Sequence, residues 1–138
     1  MEKKYKIGYT SGVFDLFHVG HLNILKKAKE QCEYLIVGVS TDELTMKLKG
    51  KLPIIPYQQR SEIIESIKFV DEVIPEHDVN KYNAWKILHY NALFKGNDAS
   101  KKESYKKYEK ELRKEGVDVI YFSYTEGISS SKIKDYMT

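Results

Sequence analysis

Apolar and polar positions recur along this chain with two different periods, and the switches between them outline its elements. From Tyr5 to Ser11 the apolar residues Tyr5, Ile7 and Tyr9 alternate with smaller or polar ones, as in a strand. From His18 to Cys32 the spacing becomes helical. Leu22, Leu25 and Ala28 form the apolar stripe, with Lys26, Lys27, Lys29 and Glu30 on other faces. Tyr34 to Ser40 is nearly continuous in apolar residues, which predicts a parallel strand covered on both sides. Thr41 to Tyr57 contains Gly50, Pro53 and Pro56 and reads as a long connection with room for a short helix at its start. Gln58 to Lys68 reads as a helix with Ile63, Ile64 and Ile67 inward. Then follow a short strand (Val70 to Ile74), a helix (Lys81 to Tyr90), a strand (Ala92 to Lys95), a highly charged helix (Ser100 to Glu115), a last strand (Val117 to Phe122) and a short terminal helix (Ser129 to Met137).

Strands alternating with helices predict a five-stranded parallel sheet with helices on both faces, a Rossmann-like three-layer α/β/α fold. In such folds ligands bind beyond the C-terminal ends of the strands. Four polar or glycine-containing stretches fall there: Gly12 to His21, Ser40 to Lys49, Gly96 to Asp98 and Tyr124 to Ser131. This convergence follows from the strand pattern alone.

Length and composition narrow the class. A chain of 138 residues fits a single domain spanning 1–138, able to bury about two-thirds of its unfolded surface. It is 41% apolar and 31% charged, ordinary for a soluble globular protein. A net charge of +3 is too small to argue for nucleic acid, and the charge run Lys101 to Arg113 reads as a solvated helix face. The longest apolar run, Tyr34 to Val39, is far too short to span a membrane, and Met1 to Lys4 leads into a strand without a signal-peptide core. The lone Cys32 has no disulfide partner and reads as a small buried residue, consistent with a reducing cytoplasm.

Gly12 to His21 carries the candidate chemistry. It joins a strand to a helix N-terminus, where free backbone N–H groups and the helix dipole favour an anion. His18 and His21 flank Gly20, which leaves room for a ligand near the backbone. An imidazole has an unperturbed pKa of ~6.5 and donates hydrogen bonds to oxyanions, so the pair suits transfer at a phosphate, where charge stabilisation does most of the work. Capping or surface residues are the plainer alternative. Zinc is a weaker one, because no third ligand stands at metal-site spacing, and no metal site is expected.

The residues Gly12-Val13-Phe14-Asp15-Leu16-Phe17-His18-Val19-Gly20-His21 resemble the G-x-F-D-x-x-H-x-G-H motif of the cytidylyltransferase family of nucleotidyltransferases. Thr125-Glu126-Gly127-Ile128-Ser129-Ser130-Ser131 resembles the family's R-T-E-G-I-S-T-[ST] near the C-terminus. The segment from Tyr34 to Thr45, leading to Leu48-Lys49-Gly50, is similar to the family's approach to F-K-G. The resemblance covers nearly the whole chain.

It implies roles residue by residue. His18, His21 and Lys49 stand at catalytic positions, with Lys47 and Lys51 close enough to be confused with Lys49. Gly12, Val13, Phe14, Gly20, Arg60, Asp98 and Tyr124 to Ser131 (Tyr124, Thr125, Glu126, Gly127, Ile128, Ser129, Ser130, Ser131) stand at nucleotide-binding positions. Asp15, Lys68 and Lys81 are expected on the acceptor side. The chain departs from the family pattern at Asn97 for an acid, Ala99 for a Trp, Lys68 for an Arg and Tyr124 for an Arg. Lysine keeps charge at 68, whereas Tyr124 loses both charge and the bidentate fork. The implied activity is transfer of CMP from CTP to a small phosphorylated alcohol, glycerol 3-phosphate first among them, with release of pyrophosphate. Mg²⁺ would accompany the triphosphate, and a cytoplasmic homodimer that binds neither nucleic acid nor membrane is the implied setting. An adenylyltransferase using ATP with a sugar phosphate or FMN-like acceptor stays open, as does a non-catalytic nucleotide-binding domain.

Overall fold

The computed structural model describes residues 3–123 and 133–135. Five parallel strands form one sheet: β1 (Tyr5–Gly12), β2 (Cys32–Ser40), β3 (Glu72–Glu76), β4 (Ala92–Gly96) and β5 (Asp118–Phe122). Their order is β3-β2-β1-β4-β5, so the chain winds outward from β1 in one direction and then in the other. Five helices connect and cover them: α1 (Val19–Gln31), α2 (Asp42–Lys49), α3 (Tyr57–Glu65), α4 (Lys81–Leu88) and α5 (Glu103–Lys114), the last preceded by a 3-10 turn over Asn97–Lys101.

The two faces carry separate cores. On one, Leu25 and Ala28 of α1 and Ile64 of α3 pack on Cys32, Leu35, Val37, Val39 and Phe94. On the other, Tyr90 and the α5 residues Tyr105 and Leu112 pack on Tyr9, Ile36, Leu93 and Val119. The apolar run of β2 is buried without a break from Leu35 to Ser40, as a strand covered on both faces must be. Side chains of the strands on both sides crowd β1. A Cβ on Gly8 would lie 2.6 Å from the Phe94 ring and 2.8 Å from Cys32 Sγ, so only glycine fits there.

Several sequence expectations shift. His18 precedes α1 as its N-cap instead of lying within it. The 41–57 connection contains a full helix, α2, capped by Thr41 and closed by Gly50 at φ 74°. The α3 helix ends at Glu65, and its inward positions are Arg60 and Ile64, one turn apart, so Ile63 faces outward at 42% exposure. The third strand starts two residues later than the pattern suggests and includes Pro75, which an edge strand tolerates. Lys102, extended at φ −78° and ψ 134°, separates the 3-10 turn from α5, so 100–115 is not one helix. Of the expected terminal helix, residues 133–135 are described and are helical.

Candidate active site

The sheet reverses its winding between β1 and β4, and there the strands' C-terminal ends open a cleft of about 840 Å³. Its walls come from the β1–α1 loop, α2 and the segment after it, the ends of β3 and β4, and the start of α5. Among the described residues six lysines line it (Lys49, Lys51, Lys81, Lys95, Lys102, Lys134) against three carboxylates (Asp15, Glu76, Asp98). That excess of positive charge suits a polyanion.

The β1–α1 loop is built with unusual backbone. Phe14 and Leu16 have φ of 54° and 50°, in the left-handed region that side chains rarely adopt. The two kinks turn Asp15 inward, where it is 4% exposed. Asp15 accepts the backbone N–H of Ile54 and of Ile55, each at 2.9 Å, and pairs with Lys134 at 3.2 Å. Burial alone would raise its pKa, but those two amides and Lys134 outweigh it and hold the carboxyl below its usual value. Asp15 therefore fastens the α2–α3 segment across the cleft.

The histidines cap α1 through each other. His18 Nδ1 accepts the Gly20 N–H at 3.0 Å, and His21 Nδ1 accepts the His18 N–H at 3.2 Å. This is a capping box made with imidazoles. It corrects the expectation of free helix amides waiting for a ligand: the Gly20 and His18 amides are taken by the rings. Because each Nδ1 accepts, each neutral ring carries its proton on Nε2. The rings stack at a centroid distance of 3.9 Å, and Phe17 also stacks on His21 at 5.4 Å. Burial lowers the pKa of His18; burial and then the neighbouring His18 and Lys95 push His21 down to about 4. Both rings are thus neutral Nε2–H donors at pH 7, a state that sequence left open.

Across the cleft, Lys81 and Glu76 form an ion pair at 2.6 Å with both side chains 5% exposed, and Ser40 Oγ donates to the same carboxylate at 3.0 Å. Lys49 ends α2 at the cleft mouth. Partial desolvation, and then Lys134 and Lys102, hold its pKa below the ordinary lysine value. Asp98 lies exposed on the wall beyond β4.

A model of the family described as cytidylyltransferase-like matches residues 9–136. The chain is 39% identical over 127 residues to the glycerol-3-phosphate cytidylyltransferase of Bacillus subtilis (strain 168), an alignment covering 91% of this chain and 92% of that protein. It is 38% identical to the enzyme of the same name from Staphylococcus aureus, covering 91% and 89%. The chain belongs to the cytidylyltransferase-like family. Over 65 residues, 47% of the chain, it is also 49% identical to an FAD synthase of Pyrococcus abyssi. Among solved structures, a lipopolysaccharide core biosynthesis protein from Thermoplasma volcanium superposes with a TM-score of 0.75 at 27% identity, over 88% of this chain and 99% of that one. Pantoate-beta-alanine ligase from Francisella tularensis, at 17% identity and TM-score 0.68, shares the fold.

Set on this cytidylyltransferase-like frame, the expected site residues separate. Gly12, Val13, Phe14, Asp15, His18, Gly20, His21, Lys49, Lys81 and Asp98 all line the cleft. Arg60 does not reach into it. Its guanidinium is 0% exposed and donates to the carbonyls of Ile55, Val13 and Ser40 and to Asp42 at 2.7–2.8 Å, so it ties three loops together beneath the site. Lys68 is at the wrong end of the molecule. It follows α3 and precedes β3, beside the strands' N-terminal ends, and its ammonium sits 5.3 Å from the Phe69 ring. The expected residues Tyr124 to Ser131 lie outside the described residues. The structure adds Lys95, Glu76 and Lys102 to the cleft and bears out Ser40, the start of the expected 40–49 stretch. Of these, Lys95 had a visible signal: a lone charge in the otherwise apolar Ala92-Leu93-Phe94-Lys95-Gly96.

Proposed function

We propose that this chain transfers CMP from CTP to a small phosphorylated alcohol, glycerol 3-phosphate first, and releases pyrophosphate. The observation that carries the reading is the His18–His21 pair, fixed by the backbone as two neutral Nε2–H donors in a lysine-lined cleft. Donors set in advance, where charge develops, stabilise a transition state without reorganising.

An oxygen of the acceptor phosphate, already anionic at pH 7, attacks the α-phosphorus in line. His18 and His21 donate to the α-phosphate oxygens, and Lys49, at the mouth, neutralises the triphosphate. No nucleophilic side chain or covalent intermediate is needed. Among the described residues no group of three acidic, histidine or cysteine side chains is placed to hold a metal. A Mg²⁺ would come with the phosphates, and Asp98, exposed on the cleft wall, is the carboxylate that would share it. Such an ion would neutralise charge on the triphosphate.

Pyrophosphate release with CTP, Mg²⁺ and glycerol 3-phosphate, compared with phosphocholine and phosphoethanolamine, tests the reading. Turnover with CTP and one acceptor, lost in His18→Ala, supports it. The half-length similarity to an FAD synthase and Tyr124 in place of an arginine give ATP a place in the same assay, and turnover with ATP alone would replace CTP in the proposal. Homodimer formation belongs to the same proposal, and sedimentation equilibrium at twice the chain mass tests it.

A further inference from the structure

Strands β1 and β4 pair only at Gly8–Ala92 and Tyr9–Leu93. Beyond that the ladder stops, and continuing its register would set Ser11 opposite Lys95. The Lys95 ammonium donates to the Ser11 carbonyl and so bridges the opening where the sheet reverses.

This lysine, half-buried at the end of β4, has an unusual setting. The buried carboxylate that attracts it, Glu76, is committed to Lys81 and Ser40. Glu76 from β3 and Asp98 from the 3-10 turn attract the Lys95 charge, whereas Lys81 from α4, Lys102 before α5 and His21 from α1 face it without compensating it. An ammonium has three N–H groups. The structure records one acceptor for them among the described residues, a neutral carbonyl, while the side chain lines the cleft. A half-buried cation with no carboxylate hydrogen-bonded to it bears part of the desolvation cost, and such groups are enriched at functional sites.

Resting on the function proposed above, we propose that Lys95 is a further catalytic residue, whose ammonium binds a non-bridging oxygen of the phosphate under attack from the β4 side while His18 and His21 bind it from α1. An acceptor phosphate oxygen forms the new bond to phosphorus. The bond from that phosphorus to the bridging oxygen of pyrophosphate breaks, and its electron pair leaves with pyrophosphate. Lys95 keeps its proton throughout and donates a hydrogen bond only. Burial, first, and then Lys81 lower its pKa to about 8, so alkaline pH removes the charge that binds the phosphate.

Lys95→Met tests this. The expected result is a kcat lower by about 100-fold with KM changed less than threefold, absence of the activity decline expected of the wild type above about pH 8, and a melting temperature equal to or above wild type. A kcat within threefold of wild type overturns the proposal. Should the variant melt early, Lys95→Ala is assayed with added methylammonium and ethylammonium: recovery supports the proposal, and no recovery overturns it. Wild-type turnover is the separate readout for the parent reading. If the wild type turns over no substrate, calorimetry with CTP and with ATP decides Lys95 alone: binding at least tenfold weaker in Lys95→Met supports a phosphate contact, and equal binding overturns it.

Discussion

The His18 and His21 rings stack 24° from parallel, each turning Nδ1 to the backbone, and both residues line the cleft. A pair held this way is a donor pair at neutral pH and a liability in acid. His21 has its folded pKa depressed to about 4 from 6.5, so between those values the unfolded chain binds more protons and stability rises with pH. The melting temperature is therefore expected to fall from pH 6.5 toward pH 4, by on the order of 3 kcal/mol of stability. His21→Gln flattens that limb. Nitrogen-15 spectra at pH 7 are expected to show both rings with the proton on Nε2. His18→Ala lowers kcat by about 100-fold or more.

Asp15→Ala releases the Ile54 and Ile55 amides and leaves them without their carboxylate. A loss of about 1–3 kcal/mol is expected in denaturant unfolding, with faster proteolysis within 50–56. The Asp15 pKa is depressed when folded, so its contribution is present above the ordinary aspartate pKa and lost as pH falls through the folded one. The same variant raises KM, because the segment it fastens carries Lys51, Leu52 and Pro53 into the cleft wall.

Arg60→Met removes the cation from four bonds and takes its N–H groups from three carbonyls, while Asp42 keeps the Tyr57 amide. We expect a loss of about 3–5 kcal/mol in urea unfolding. For protein that remains folded, kcat changes far less than in His18→Ala, because the guanidinium does not touch substrate.

Lys49 and Lys68 make an opposed pair for kinetics. Lys49→Ala is expected to lower kcat/KM by about 100-fold, since its ammonium stands at the cleft mouth. Lys68→Ala leaves kcat and KM within twofold, because Lys68 lies at the opposite end of the sheet. Both follow from one steady-state assay.

The sheet was legible because β2 carries an unbroken apolar run and α1 a regular stripe, and those patterns allow few arrangements. The placement of His18, His21, Lys49 and Asp98 around one cleft followed from strand direction alone. What stayed hidden was set by tertiary contacts. Nothing in Gln59-Arg60-Ser61 says that the guanidinium turns inward to four acceptors. Lys68 was misplaced because family position was read as proximity, although a residue after α3 must lie at the strands' starting ends. A short helix at the start of the 41–57 connection was legible, and only its full length to Lys49 was obscured by the glycine and prolines that follow it. Lys95 was overlooked because one cation in a short strand looks like ordinary edge polarity, and only the parting of β1 from β4 makes it otherwise.

That parting divides the chain into consecutive pieces. Residues 5–76 supply β1, β2 and β3, and residues 92–122 supply β4 and β5, with two residue pairs between them in the sheet. A ligand lying over this line acts as a brace across a seam. Amide hydrogen exchange at Tyr9 and Leu93 is expected to slow when nucleotide binds, more than exchange within β2. A chain severed between Glu76 and Lys81 would offer two complementary fragments for which the substrate itself is the fastening.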